Sequence, residues 1–179
     1  MKKTGFGLEH GDVPAGLFVE DAKVDVGHGG IAALWRDYRN ARWAITEAIG
    51  RSSNIEAEVS ELVVEQLHGG YRLKESSKST DVVTPEGLRI QVKSRVLRQG
   101  DVTKLGTIRS WDFDILVIVL FSEDGEVSFA GEISSEAARE HAHWEERVSG
   151  YSISTTKALR FDSRMRDRTG EYQRIVDSL

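Results

Sequence analysis

The chain has 179 residues, 39% of them hydrophobic and 30% charged, and a formal net charge of -5. That is one ordinary globular domain in length and composition, neither disordered nor membrane-like. Zero cysteines exclude a disulfide scaffold, a thiolate zinc site and a thiol nucleophile, and the acidic balance leaves nucleic-acid contact to a local basic patch.

Lys2 and Lys3 are followed by no apolar run, so no signal peptide is expected. The longest apolar stretch, residues 115–121, is far short of the ~20 residues of a membrane helix. The expectation is a soluble, cytoplasmic protein without membrane contact.

Residues 1–30 carry seven glycines and only short apolar pieces, which reads as a flexible arm. Their spacing fits neither a phosphate-binding loop nor a dinucleotide fingerprint. Residues 31–179 are expected to form a single domain. Across 31–49, Ile31, Leu34, Trp35, Tyr38, Arg42, Ile45 and Ile49 recur at three- and four-residue steps, predicting a helix that Gly50 closes. Asn54 stands where an N-cap belongs for a second helix over 55–68, and Gly69-Gly70 ends it.

Strands follow. Residues 80–84 (TDVVT) and 88–95 (LRIQVKSR) flank Pro85-Glu86-Gly87, a turn whose proline presets φ and whose glycine accepts the left-handed conformation. Residues 96–110 read as loop. Residues 114–121 (DILVIVLF) are continuously apolar and β-branched, which predicts a strand buried on both faces. Another strand is expected over 126–133, a serine-capped helix over 134–146, and a short edge strand over 151–154. The arginine-bearing tail from Lys157 contains its own acids and reads as a solvated or dimer-contacting helix. The order is that of a mixed α/β sheet with helices packed on it.

A three-residue turn brings Thr84 opposite Leu88, Val82 opposite Ile90 and Asp81 opposite Gln91. Side chains alternate along a strand, so Gln91 and Lys93 share a face with Asp81 while Ile90 and Val92 point to the apolar side. A carboxylate, an amide oxygen and an ammonium on one patch make a plausible Mg²⁺ site with a positioned lysine. Mg²⁺ needs only one or two protein carboxylates, and the ammonium can orient water or stabilise developing phosphoryl charge. An edge strand with polar residues outward explains the same alternation.

Thr80-Asp81 followed by Gln91-Val92-Lys93 resembles the PD-(D/E)XK signature of restriction-endonuclease-like nucleases. The order of elements also resembles theirs over roughly residues 54–150: a glutamate-bearing helix, the hairpin, a buried strand and a further helix. Glu58 and Glu61 are similar to the paired glutamates of that helix in some branches. Trp111-Asp112-Phe113-Asp114 before the apolar strand resembles a group of small bacterial members. The implied fold is a restriction-endonuclease-like mixed β-sheet flanked by helices, here with an extra N-terminal helix and the glycine-rich arm.

The implied activity is metal-dependent DNA endonuclease chemistry, in restriction, phage defence or DNA processing, with Mg²⁺ or Mn²⁺ as cofactor and homodimers common because two strands need cutting. On that resemblance Asp81 is the main metal ligand, Gln91 a further oxygen ligand and Lys93 the residue that stabilises charge and orients water. Glu58 completes the metal shell or helps activate water, with Glu61 and then Glu56 as the other glutamates of the helix. Thr80 stands where the family has proline. Gln91 replaces the acid of the D/E-x-K triplet, which removes one negative charge and weakens metal binding. The alternative is therefore a catalytically inactive DNA-binding or complex-assembly module that keeps the fold.

Between residues 89 and 109 there are six bases, Arg89, Lys93, Arg95, Arg98, Lys104 and Arg109, against the single acid Asp101. A basic segment beside the candidate site suits phosphate-backbone contact, and Arg89, Arg95, Arg98, Lys104 and Arg109 are the candidate DNA contacts. Trp111 reads as core packing, with base stacking as its other use. His141 and His143 do not share a helical face as zinc ligands would, and no Gly-x-Ser-x-Gly elbow supports a serine hydrolase.

Overall fold

The computed structural model describes residues 30–50, 54–73, 79–97 and 102–179. The arm expected over 1–30 lies, but for Gly30, outside the described residues, as does Arg98. Contacts group the chain into two compact units, Met1–Asn40 and Ala41–Leu179, with the sheet and both cores in the second. Among the described residues no helix is long and apolar enough to cross a membrane.

Helix α1 spans Gly30–Ile49, and Gly50, at φ +72°, donates its N–H to Thr46 O at 2.8 Å. Helix α2 spans Ile55–His68; Asn54 precedes it in extended conformation without capping through its side chain. Gly69 closes α2 in the left-handed conformation (φ +64°), donating to Glu65 O. Gly70 then passes so near the next hairpin that a Cβ there would lie 2.2 Å from Val83 O.

The main sheet has six strands: β1 (Tyr71–Arg72), β2 (Val82–Val83), β3 (Arg89–Val96), β4 (Ile115–Phe121), β5 (Val127–Ser134) and β8 (Arg166–Asp167). They lie in the order β1-β2-β3-β4-β5-β8, antiparallel throughout except for the parallel pair β3/β4. The protein is thus a mixed α/β fold whose mostly antiparallel sheet is flanked by helices. Strand β4 explains the two cores. Its residues Leu116, Ile118 and Leu120 enter one apolar cluster, and Val117, Val119 and Phe121 enter the other. A strand buried on both faces must be apolar at every position, which residues 115–121 are.

On the first face, α2 packs Val63 and Val64 and the C-terminal helix α5 (Thr169–Val176) packs Tyr172 against Val82, Ile90 and Val92. On the second face lies the segment joining the parallel strands, which enters the core through Leu105, Ile108 and Phe113. Parallel neighbours require such a crossover, and over its described residues 102–114 it is not helical. It is tied instead to β7 (Gly150–Ile153): Leu105 N donates to Ile153 O and Ile108 N to Tyr151 O, both at 2.8 Å. Strand β7 pairs with β6 (Ala142–Glu145) in a separate two-stranded sheet.

Two expectations need correction. The helix predicted over 134–146 is only α3, Ser135–Glu140, although Ser134 Oγ does cap it by accepting from Ala137 N at 3.2 Å. Beyond it, pairing of Trp144 with Tyr151 draws the chain into β6, so tertiary pairing overrides helical propensity. The tail is not a solvated helix either. It forms α4 (Lys157–Arg160), the edge strand β8 and α5, and the Tyr172 ring is fully buried against the sheet.

Candidate active site

Register brings the predicted residues together. Val82 pairs with Ile90 and Val83 with Arg89, so Asp81 falls opposite Gln91, while Gly87 at φ +86° completes the turn. Asp81 N donates to Ile90 O at 2.8 Å, and Asp81 O accepts from Leu73 N at 2.7 Å. There β2 leaves the ladder, and the next β3 donor, Val92 N, turns to the Asp81 carboxylate, with Oδ2 at 2.6 Å. The same Oδ2 accepts from the Gln91 side-chain amide. An aspartate suits this position because its short carboxylate replaces the missing main-chain acceptor.

Gln91 and Lys93 point to the crossover face, in register with Leu116 and Ile118. Gln91 is buried. Lys93 runs beneath the crossover: a Cβ on Gly106 would stand 3.7 Å from Lys93 Cδ. Burial pushes the Lys93 ammonium below its ordinary pKa, opposed by the charges of Asp81 and Glu61 and assisted by Arg95 and Arg109. Two acids and two further bases therefore act on Lys93 at the end of the hairpin.

The glutamates of α2 separate. Glu58 is only 2% exposed and faces Arg72, with Oε2 3.6 Å from Nη1. Arg72 also donates from Nε to Glu65 at 2.7 Å. Glu61 is the α2 carboxylate whose charge reaches Lys93, and Glu56 is exposed. Thr80 is buried and its hydroxyl donates to Asp112 O at 3.3 Å, holding the strand before β4 against the start of the hairpin.

The candidate DNA contacts separate as well. Arg89 is clasped by Asp112 and Asp114, its N–H 2.8 Å and its Nε 3.2 Å from Asp114 Oδ2. Lys104 is paired with Glu145, which also accepts from Ser152 Oγ at 2.6 Å. Arg95 and Arg109 are exposed and pair with no carboxylate among the described residues. Trp111 packs on the core, 5.6 Å from Phe113 between ring centroids. His141 is held by Asp162 at 2.8 Å, and His143 is exposed.

On the opposite face lies a polar cluster that sequence reading missed. Glu132 Oε1 accepts from Tyr172 Oη at 3.0 Å and Arg168 Nη1 at 2.8 Å, and lies 3.0 Å from His68 Nε2. Burial pushes the Glu132 carboxyl up, but His68 and Arg168 together hold it below the ordinary range. The cluster joins α2, β5 and α5 across the first core. An acid alternating with Ala130 inside an apolar strand was the one signal of it, since a buried acid needs partners.

Among the described residues no group of three histidine, aspartate or glutamate side chains forms a metal cage. The carboxylates of Asp81 and Glu61 are the kind of donor that Mg²⁺ and Mn²⁺ prefer, hard cations content with one or two carboxylates and otherwise water and phosphate oxygens. The Gln91 amide now donates its nitrogen to Asp81, so its oxygen reaches a cation only after the amide turns. Comparison with protein-family models and with curated proteins finds no match to this chain.

Proposed function

We propose that the protein is a metal-dependent DNA endonuclease of the restriction-endonuclease-like type. One observation carries the reading: Lys93 lies desolvated under the crossover, in the field of Asp81 and Glu61, at the end of the hairpin that sets Asp81 opposite Gln91. The parallel β3/β4 pair following the α2-led antiparallel strands agrees with the fold this resemblance implies.

The reaction is hydrolysis: a water oxygen bonds to phosphorus while the P–O bond to the leaving sugar oxygen breaks. The leaving oxygen acquires a proton and the attacking water gives one up. Asp81 and Glu61 would hold Mg²⁺ or Mn²⁺, which supplies positive charge to the phosphoryl oxygens when bound. Lys93 hydrogen-bonds the attacking water or the phosphoryl oxygen, and its ammonium meets the charge that develops there. Low local dielectric makes that contact stronger than at a surface lysine. Asp81 is itself oriented by Val92 N and Gln91, so its lone pairs are aimed before substrate arrives. Arg95 and Arg109 extend the positive field toward the backbone on either side.

The test is cleavage of supercoiled, linear and single-stranded DNA with Mn²⁺ and Mg²⁺, with Lys93→Ala in parallel. The expected result is metal-dependent cutting that Lys93→Ala reduces by about a hundredfold or more, the usual loss on removing one charge-stabilising donor. No cutting of any form, or equal cutting by the variant, overturns the reading. The Gln91-to-Asp81 hydrogen bond favours the second reading, a DNA-binding module without catalysis. Metal-independent DNA binding, with no heat of Mn²⁺ binding that Asp81→Ala removes, would establish that instead.

A further inference from the structure

The crossover does more than cover Lys93. Three residues past Gly106, Arg109 passes Gly150, where a Cβ would stand 3.5 Å from Arg109 Cγ. Two residues further, Trp111 meets Tyr151 edge to face with centroids 5.5 Å apart, and Tyr151 meets Trp144 in the same way at 5.1 Å. Arg139 of α3 lies over this row, its guanidinium carbon 6.0 Å from the Trp111 ring and 5.9 Å from the Tyr151 ring. The row starts at buried Phe113 and ends at Trp144, which is 53% exposed. Packing accounts for Trp111 and for the half-buried Tyr151, both of which lie against the core, but Trp144 is not part of that packing. Arg139 and Arg109 are exposed, and neither pairs with a carboxylate among the described residues.

We propose that Trp144, Tyr151 and Arg139 form a stacking ledge for unpaired bases, and that Arg109 and Arg95 guide the phosphates of that strand from the ledge to Lys93. The ligand is therefore single-stranded DNA or DNA with an unpaired segment. Aromatic rings beside unpaired cations bind single strands because every exposed base presents a π-face, whereas a duplex keeps its bases stacked inside. Charge complementarity names the occupant: an apolar peptide would leave both arginines unmatched, and a phosphodiester strand matches rings and cations together. The link to Lys93 rests on the nuclease reading; the ledge does not.

The full-length protein is titrated, in chelator and without metal, against a labelled oligothymidylate of about twenty residues and a blunt duplex of equal length, long enough to exceed the roughly 4–16 nucleotides that such grooves cover. The single strand is expected to bind more tightly. Trp144→Ala and Arg139→Glu each weaken it about tenfold, the order expected for one lost stacking or cation contact, while Trp144→Phe retains most of the affinity. All three variants stay folded at the assay temperature, checked by circular dichroism, and duplex binding stays unchanged in the two Trp144 variants. Equal affinity for the two forms, unaltered oligothymidylate binding in the alanine variant, or tighter binding of oligouridylate overturns the proposal. Because no cutting is measured, the ledge stands or falls apart from the nuclease: cleavage of duplex without single-strand binding sinks the ledge alone.

Discussion

At position 91 a single atom type decides how the site is held together. A glutamate there would place a second carboxylate beside Asp81, and the two would repel unless a cation lay between them. Glutamine supplies an N–H instead, and its bond to Asp81 closes the site without metal. Gln91→Glu is therefore expected to lower the melting temperature in chelator, to recover it on adding Mn²⁺, and to raise metal affinity and cutting rate together. Thermal melts with and without Mn²⁺ check this; a variant indifferent to the ion would show that position 91 does not face the cation. Lys93 allows a second measurement. Its pKa is lowered in the folded protein, so between that value and 10.5 the unfolded chain binds more protons, and stability rises as pH rises through that window. Lys93→Met removes a half-buried charge and is expected to stabilise the protein at pH 7 by at most about 1 kcal/mol, the low end of the gain seen when apolar groups replace buried charges. The advantage should shrink as pH approaches 10.5 in paired urea titrations.

At the scale of elements, the position of Asp81 depends on how α2 hands the chain to the hairpin. Gly69 needs its positive φ, whereas Gly70 needs the absence of a side chain, because backbone oxygen Val83 O occupies the space. Gly69→Ala should cost about 1 kcal/mol and leave cutting per folded molecule intact. Gly70→Ala must push β2 away from α2, carrying Asp81 out of reach of Val92 N, so it should lower kcat as well as stability. Equal kcat in the two variants would separate the turn from the site.

The hairpin and β4 were legible because their signals are local: Pro85 and Gly87 fix the turn, and the turn fixes which residue faces Asp81. Residues 115–121 announce two buried faces by apolar continuity alone. The shortened α3 was not legible, since Trp144 leaves the helix for a partner seven residues away whose pull no helical wheel contains. That Glu58 faces Arg72 was not legible, because Arg72 is a strand residue that comes near it only once β1 lies beside α2. The Glu132 cluster draws on α2, β5 and the tail, so its members share no stretch of sequence from which it could be read.

Across the whole molecule, bases divide by whether an acid meets them. Arg72, Arg89, Lys104, Arg164 and Arg168 are held in ion pairs that join elements. Lys93, Arg95, Arg109 and Arg139 have no such pair among the described residues and lie on β3, the crossover and α3; Arg147, Lys157, Arg160, Arg166 and Arg174 are likewise unpaired but are spread over the segments after β6. Net charge is negative, so the DNA association proposed above would depend on that local distribution rather than on the protein as a whole. Each phosphate neutralised on a single strand releases about 0.7 counterion, which makes the logarithm of affinity fall with the logarithm of salt concentration. Three or four contacts predict a slope of about -2 to -3. Arg109→Ala should make the slope shallower by about 0.7, one phosphate's share, with the melting temperature unchanged. Arg89→Ala should do the reverse: it frees Asp112 and Asp114, lowers the melting temperature, and leaves the salt slope where it was. Anisotropy titrations at four salt concentrations on both variants decide this, and a shallower slope for Arg89→Ala would mean that the ion pairs of β3 open to receive DNA.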